Sequence, residues 1–237
     1  MMATKVWPIG DFPKLSKRPE SLNVSCRDYC TMPHIPILKA EAAPESVKAV
    51  YEEFHKRMDF PSPPNFIMTQ GHSPTVVRGT WEVVRNVLVT GEIPRWTKEI
   101  IFVAISKDRQ CRYCAAAHMA CCRMLGVKQS TLDELVSDVN SLTDGKLRQM
   151  VRFALKCSRN PQSMVDKDYA DLYAMGLRES EAIELVAMSA FAIYANIIAD
   201  ATAMDADDMF GTPLENATSI NSPAGNTTPE PSKTGAH

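Results

Sequence analysis

The chain has 237 residues, 45% of them hydrophobic, with seven cysteines and a formal charge of −2. That is enough for one sizeable core with tails, and the near-neutral balance excludes a basic footprint for nucleic acid and a polybasic membrane patch. No apolar run reaches the roughly 18 residues of a spanning helix, and the first twenty residues lack an apolar signal core and carry Asp11 and Glu20, so no secretory or transit peptide is expected. A cytoplasmic, reducing setting is expected, in which a Cys-x-x-Cys is catalytic or metal-binding more often than a structural staple.

Residues 1–40 hold Pro8, Pro13, Pro19, Pro33 and Pro36 without helical or strand period, and read as a proline-rich extension. Its Cys26 and Cys30 are expected to be ordinary thiols. From Pro44 the period becomes helical, with Val47, Val50, Tyr51, Phe54 and Met58 spaced by three and four until Pro61, Pro63 and Pro64 end the segment. After a PSPPNF turn, a second helix is expected from Pro74 to Val89, with Val77, Trp81, Val84 and Leu88 on one face. His72, just before it, reads as a loop or cap residue. A third helix, from Pro94 to Lys107, carries Trp96, Ile100 and Val103 as an apolar stripe with Glu99 on it. A carboxylate there needs a hydrogen-bonded partner or a proton-transfer role.

The next helix starts at Cys111, after a polar KDRQ turn, and runs to Leu125. Cys111 and Cys114 lie one turn apart, within disulfide reach. Cys111 sits at the helix start, where the unpaired N–H groups and macrodipole favour thiolate over thiol. His118 is four residues after Cys114 on the same face and is placed to move a thiol proton. Three readings cover these residues: thiol–disulfide chemistry using Glu99, Cys111, Cys114 and His118; a zinc site of the same four, crowded for one helix; or inert core cysteines, which leaves Glu99 and His118 without a purpose. Cys121 and Cys122 are read as core.

The chain then repeats itself at an offset of 50 residues. Ala104, Arg109, Ala120, Gly126, Ser130, Glu134, Leu135 and Val136 meet Ala154, Arg159, Ala170, Gly176, Ser180, Glu184, Leu185 and Val186. Each copy shows a C-cap glycine followed by a serine expected to cap the next helix. Glu99, Cys111, Cys114 and His118 face Gln149, Pro161, Met164 and Asp168, so the reactive groups belong to one copy only. A long buried helix from Glu179 to Met204 closes the second copy. The polar tail 205–237 is expected to be disordered, and its Asn216 and Asn226 glycosylation patterns carry little weight without a secretory route.

Glu99 twelve residues before a Cys-x-x-Cys, and His118 four residues after it, resemble the AhpD-like superfamily of alkylhydroperoxidase D, peroxidase-related and carboxymuconolactone decarboxylase proteins. The resemblance extends over residues 32–204 through the MPHIP lead-in, the YEEF helix, the PNF and GHSP turn and the LG and MGL helix breaks. It implies an all-α fold with an internal pseudo-repeat, a helical domain over 41–204, and homo-oligomers, trimers or their multiples. It also implies a cysteine-dependent peroxidase acting on hydroperoxides without metal or bound cofactor. Carried over, Cys114 is the cysteine oxidised by peroxide, Cys111 closes the disulfide, and His118 and Glu99 relay the proton. A lipoyl- or thioredoxin-like protein would supply the external dithiol reductant. The residue before the second cysteine is often histidine in the alkylhydroperoxidases, and here it is Tyr113, a poor base. A decarboxylase-like lyase or isomerase acting on a small carbonyl substrate, with Glu99 or His118 as base, is the alternative. A non-catalytic oligomeric binding module is the third.

Overall fold

The apolar spacing found in the sequence reappears as nine α-helices among the described residues, 32–210, of a computed structural model. They are α1 (Glu45–Met58), α2 (Asn65–Gln70), α3 (Pro74–Val83), α4 (Arg95–Asp108), α5 (Arg112–Met124), α6 (Gln129–Ser137), α7 (Gly145–Arg159), α8 (Asp166–Ala174) and α9 (Glu179–Ala201). Short 3-10 turns supplement them and no strand occurs among these residues, so the all-α expectation stands. Residues 1–31 and 211–237, with Cys26, Cys30, Asn216 and Asn226, lie outside the described residues.

α4 is the axis of the fold. It is buried without interruption from Thr97 to Ser106 and packs against α5, α7 and α9. A helix apolar around its whole circumference has to be enclosed, and Ile100, Ile101, Phe102, Val103 and Ile105 are all fully buried. Trp96, expected on the apolar stripe, is 38% exposed instead. Complete enclosure begins one residue later, and Trp96 borders a surface groove with Leu125 and Leu147.

The 50-residue offset recurs in the helix boundaries. α4 and α7 start at Arg95 and Gly145, α5 and α8 end at Met124 and Ala174, and α6 and α9 start at Gln129 and Glu179. Gly126 and Gly176 hold left-handed φ values of 76° and 78°. After them the chain donates from Val127 to Cys122 and from Leu177 to Leu172, the paired closure of a Schellman motif. The serines differ from expectation. Lys128 and Arg178 occupy the N-cap positions, Ser130 and Ser180 fall inside the first turn, and Ser180 donates to Glu92 instead. The α9 start is closed by Glu181, which accepts the Arg178 amide at 2.9 Å.

The paired glutamates of the two copies do the same job. Glu134 accepts the Thr143 amide and hydroxyl at 2.9 and 2.8 Å, holding the turn into α7. Glu184 accepts the Glu92 and Ile93 amides at 2.7 and 3.2 Å, holding the turn into α4. The second clamp adds a buried cation. Lys98, with no exposed surface, places Nζ 2.8 Å from Glu184 and donates to the carbonyls of Val87 and Thr90 at 2.8 and 2.5 Å. Gly91, at φ 115°, fits because a Cβ would stand 2.5 Å from the Glu184 carboxylate.

Three other elements differ from their sequence reading. The helix expected over Pro74–Val89 is present, but its last six residues, Val84–Val89, widen into a π-helix. Asn65–Gln70, read as turn, is helical. Residues 205–210, placed in the disordered tail, pack on the body: Asp207 and Phe210 are 5% and 8% exposed. α9 has the length and mean hydropathy, 1.8, of a membrane span. Half of that stretch is nevertheless buried, against α4, α5 and α7.

Candidate active site

The end of α4 determines where the cysteines stand. Gln110 takes the left-handed region at φ 61°, the Cys111 amide donates to Ser106 O at 2.9 Å and the Gln110 amide to Lys107 O at 3.0 Å. This third Schellman turn folds α5 back along α4 with Cys111 as its N-cap. Glu99 and Phe102 on α4 thereby meet Cys114 and His118 on α5.

Glu99 has no exposed surface, and both its oxygens are used. Oε1 accepts from Arg95 Nε at 3.1 Å, and Oε2 lies 2.5 Å from His118 Nδ1. A carboxylate can only accept, so Nδ1–H of His118 donates and Nε2 is the free ring nitrogen. The imidazole is fixed from its face as well: it stacks on Phe102 with centroids 3.5 Å apart and planes 14° from parallel. Arg95 was not among the residues singled out in the sequence, although it stands four positions before Glu99, the spacing of a helical ion pair.

Cys111 and Cys114 are both free thiols, 0% and 2% exposed, and hydrogen-bonded to each other. That hydrogen bond, with burial, pushes the Cys114 thiol well above the usual range, while an N–H from Asn196 pulls it the other way. Only Cys114 of the pair faces the cavity of about 60 Å³ that opens between the helices. Six phenylalanines line it: Phe54, Phe60, Phe66, Phe102, Phe191 and Phe210. Its polar lining is Glu99, Tyr113, Cys114, His118 and Cys121. The four residues picked out in the sequence are therefore brought together, with Cys111 behind Cys114. Cys121, read as plain core, is buried but also faces the cavity; burial and then the Glu99 charge push its thiol up. No three His, Cys, Asp or Glu side chains converge as a metal ligand set among the described residues.

Tyr113, between the two cysteines, is an anchor. Its hydroxyl donates to Asp207 Oδ2 at 2.6 Å and accepts from the Phe66 amide at 3.0 Å. Asp207 Oδ1 accepts the Asn65 amide at 2.7 Å. Burial, with the Asp207 charge behind it, pushes the Tyr113 hydroxyl well above its ordinary value. Burial likewise raises the Asp207 carboxyl, and the Tyr113 and Asn65 donors oppose it. The segment 205–210 is thus strapped across the start of α2, and its Phe210, packed edge-on to Phe60 at 5.7 Å, forms one wall of the cavity. Tyr113→Phe removes one donor to a buried carboxylate, about 1.5–3 kcal/mol of anchoring. Peptide-mapped iodoacetamide labelling of Cys114 should then rise roughly tenfold; labelling unchanged in a folded variant would show that the strap does not limit access.

The model of the carboxymuconolactone decarboxylase family matches residues 74–143, which contain Glu99, both cysteines and His118. No curated protein sequence matches the chain. Among solved structures, it is similar to an alkylhydroperoxidase AhpD-core, peroxidase-related protein from Ralstonia eutropha JMP134, with 25% identity, 76% of this chain and 95% of that one covered, and a TM-score of 0.69. A peroxidase-related protein from Silicibacter sp. TM1040 shares the fold at 20% identity, covering 77% and 97% of the two chains, with a TM-score of 0.67. So does a cysteine-to-alanine variant of the debrominase Bmp8, in complex with 2,3,4-tribromopyrrole, at 19% identity, 82% and 100% coverage and a TM-score of 0.67. Helix order, the family match across α3 to α6 and the fold of the Ralstonia eutropha protein together support a likeness of this chain to the AhpD-like superfamily.

Proposed function

We propose that the protein is a thiol-dependent peroxidase that reduces small hydroperoxides through Cys114 and Cys111. The fold and family support a peroxidase-related or carboxymuconolactone decarboxylase-like enzyme. The observation that carries the finer reading is that Cys114 faces an apolar cavity shared with the Glu99–His118 pair, while Cys111 touches it from behind.

In this reading the Cys114 proton passes to Nε2 of His118, and the thiolate attacks one peroxide oxygen. The S–O bond forms as the O–O bond breaks, and the departing alkoxide takes the proton from His118 and leaves as alcohol. The Cys111 sulfur then attacks the Cys114 sulfenic acid; the S–S bond forms, the S–O bond breaks and water leaves. Two electrons have moved from the dithiol to the peroxide, and an external dithiol returns them by exchange. Glu99 holds the tautomer and ring plane of His118 and stabilises it when it carries the extra proton, and Arg95 braces Glu99. Tyr113, committed to Asp207, takes no part in proton transfer.

Cavity size favours a peroxide over an aromatic substrate. An engineered apolar cavity of about 150 Å³ holds benzene, whereas about 60 Å³ admits a peroxide or a short chain. Steady peroxide consumption should require added dithiol and stop when it is exhausted, with alcohol formed in equal amount. Consumption independent of dithiol, or none at all, would contradict the reading. Assembly into homo-oligomers is part of the same proposal. Ile183, Ala190, Tyr194 and Ile197 form an exposed apolar face on α9, with Ile183 63% and Ile197 54% exposed. Ile197→Glu should sediment as a monomer where the native protein sediments as an oligomer; equal sedimentation would exclude this face as the interface.

A further inference from the structure

Five of the six phenylalanines around the cavity belong to the helical body. Phe54, Phe66, Phe102 and Phe191 stand on α1, α2, α4 and α9, and Phe60 follows directly on the end of α1. Phe54 packs on Trp81, Phe102 on His118 and Phe191 on Phe102, so none of these rings can shrink without disturbing the core or the imidazole of the site. The sixth, Phe210, comes from the strap. Its one ring partner among the described residues is Phe60.

The strap aims that ring. Asp208–Phe210 is a single 3-10 turn, closed by the Phe210 amide, which donates to Asp207 O at 3.0 Å. Side chains three apart in such a turn eclipse one another, so Asp207 and Phe210 point to the same side of the strap. The Asp207 carboxylate is pinned 2.6 Å from the Tyr113 hydroxyl and 2.7 Å from the Asn65 amide. Pinning it pins the phenyl ring as well. Tyr113 directly precedes Cys114 on α5, so the same hook sets the ring in register with the cavity that the sulfur faces. Phe210 is 8% exposed there, in a cavity of about 60 Å³, under half of the about 150 Å³ that holds benzene. Cutting Phe210 back to its Cβ would add the space of one benzene ring.

We propose that Phe210 decides which molecules reach the Cys114 sulfur. Hydrogen peroxide and short straight-chain hydroperoxides pass, and hydroperoxides that carry an aromatic ring do not. Asp207 is its positioning residue. The proposal rests on the reading of Cys114 as nucleophile, and it puts the choice of substrate on a segment outside the family-matched residues 74–143, which hold the reacting groups.

The test compares two reagents of one mechanism, iodoacetamide and its N-benzyl derivative, by their peptide-mapped rates at Cys114 in the full chain. Phe210→Ala should raise the N-benzyl rate relative to the iodoacetamide rate by about tenfold or more. Phe210→Leu, which keeps an apolar contact but withdraws the ring, should move the ratio the same way by less, and it decides the matter if the alanine variant does not fold. A merely structural role for Phe210 would raise both rates together. A ratio equal to the native one in a folded variant would therefore overturn the proposal. With dithiol present, kcat/KM for cumene hydroperoxide relative to ethyl hydroperoxide should rise by the same factor. The labelling ratio needs no peroxide, so a shifted ratio in a protein that reduces none would overturn the peroxidase reading and leave the selectivity of Phe210 standing.

Discussion

Cys114→Ser is expected to abolish peroxide reduction, with a loss of about 10³-fold or more, because the variant keeps the cavity and the Glu99–His118 pair but has no nucleophile. Cys111→Ser should behave differently. Cys111 has no exposed surface and does not line the cavity, so its loss leaves the first step intact. That variant should consume one equivalent of peroxide and stop, with a sulfenic acid at Cys114 that dimedone labels and mass spectrometry locates. Steady turnover with dithiol should fall to background. Were the two variants to exchange phenotypes, with Cys111 carrying the sulfenate, the roles assigned here would be reversed. Full turnover of Cys111→Ser on a substrate other than a peroxide would favour the lyase or isomerase chemistry.

The largest expected effect on stability lies away from the site. Glu184→Ala leaves the Lys98 ammonium fully buried with two carbonyls and no counter-charge, and strips acceptors from the Glu92 and Ile93 amides. Removing one partner of a buried ion pair costs about 3–5 kcal/mol, which for a domain of this size lowers the melting temperature by roughly 10 °C. Burial alone would raise the Glu184 carboxyl, but Lys98 and the two amides outweigh it and hold the group below its ordinary value. A depressed folded-state value means that the clamp's contribution is complete above the unfolded-state value near 4.5 and is lost as pH falls through the folded one. Glu184→Ala should therefore be destabilised most at neutral pH, and the difference from the native protein should shrink in acid. A difference in melting temperature that persists unchanged well below pH 4 would contradict the assignment to this charge pair.

Helices with one buried face were legible because spacing alone decides them: α1 begins one residue after Pro44 and ends three before Pro61, and α4, α5 and α9 follow in register. The core of the site was legible too, since Glu99, Cys111, Cys114 and His118 all fall within 20 residues and helical geometry converts their spacing into a shared face. What was hidden depends on partners far along the chain. α2 is six residues long, and its first amides are satisfied by Asp207 and Tyr113, 142 and 47 residues away, so nothing local distinguished it from a turn. The strap 205–210 shares the composition of a disordered tail, and only the sites for Asp207 and Phe210 make it part of the body. Asn196 looked like a polar break in an apolar run. Its side chain is fully buried and donates to Ser106, on α4, 90 residues earlier in the chain.

The most direct test of the central claim is a thiol count on the native protein before and after one equivalent of peroxide, with peptide mapping of any new disulfide. Loss of two thiols, joined as Cys111–Cys114, with Cys121, Cys122 and Cys157 still free, is the result the geometry predicts. A count that does not change, with Cys114 still reduced while the peroxide persists, would contradict it.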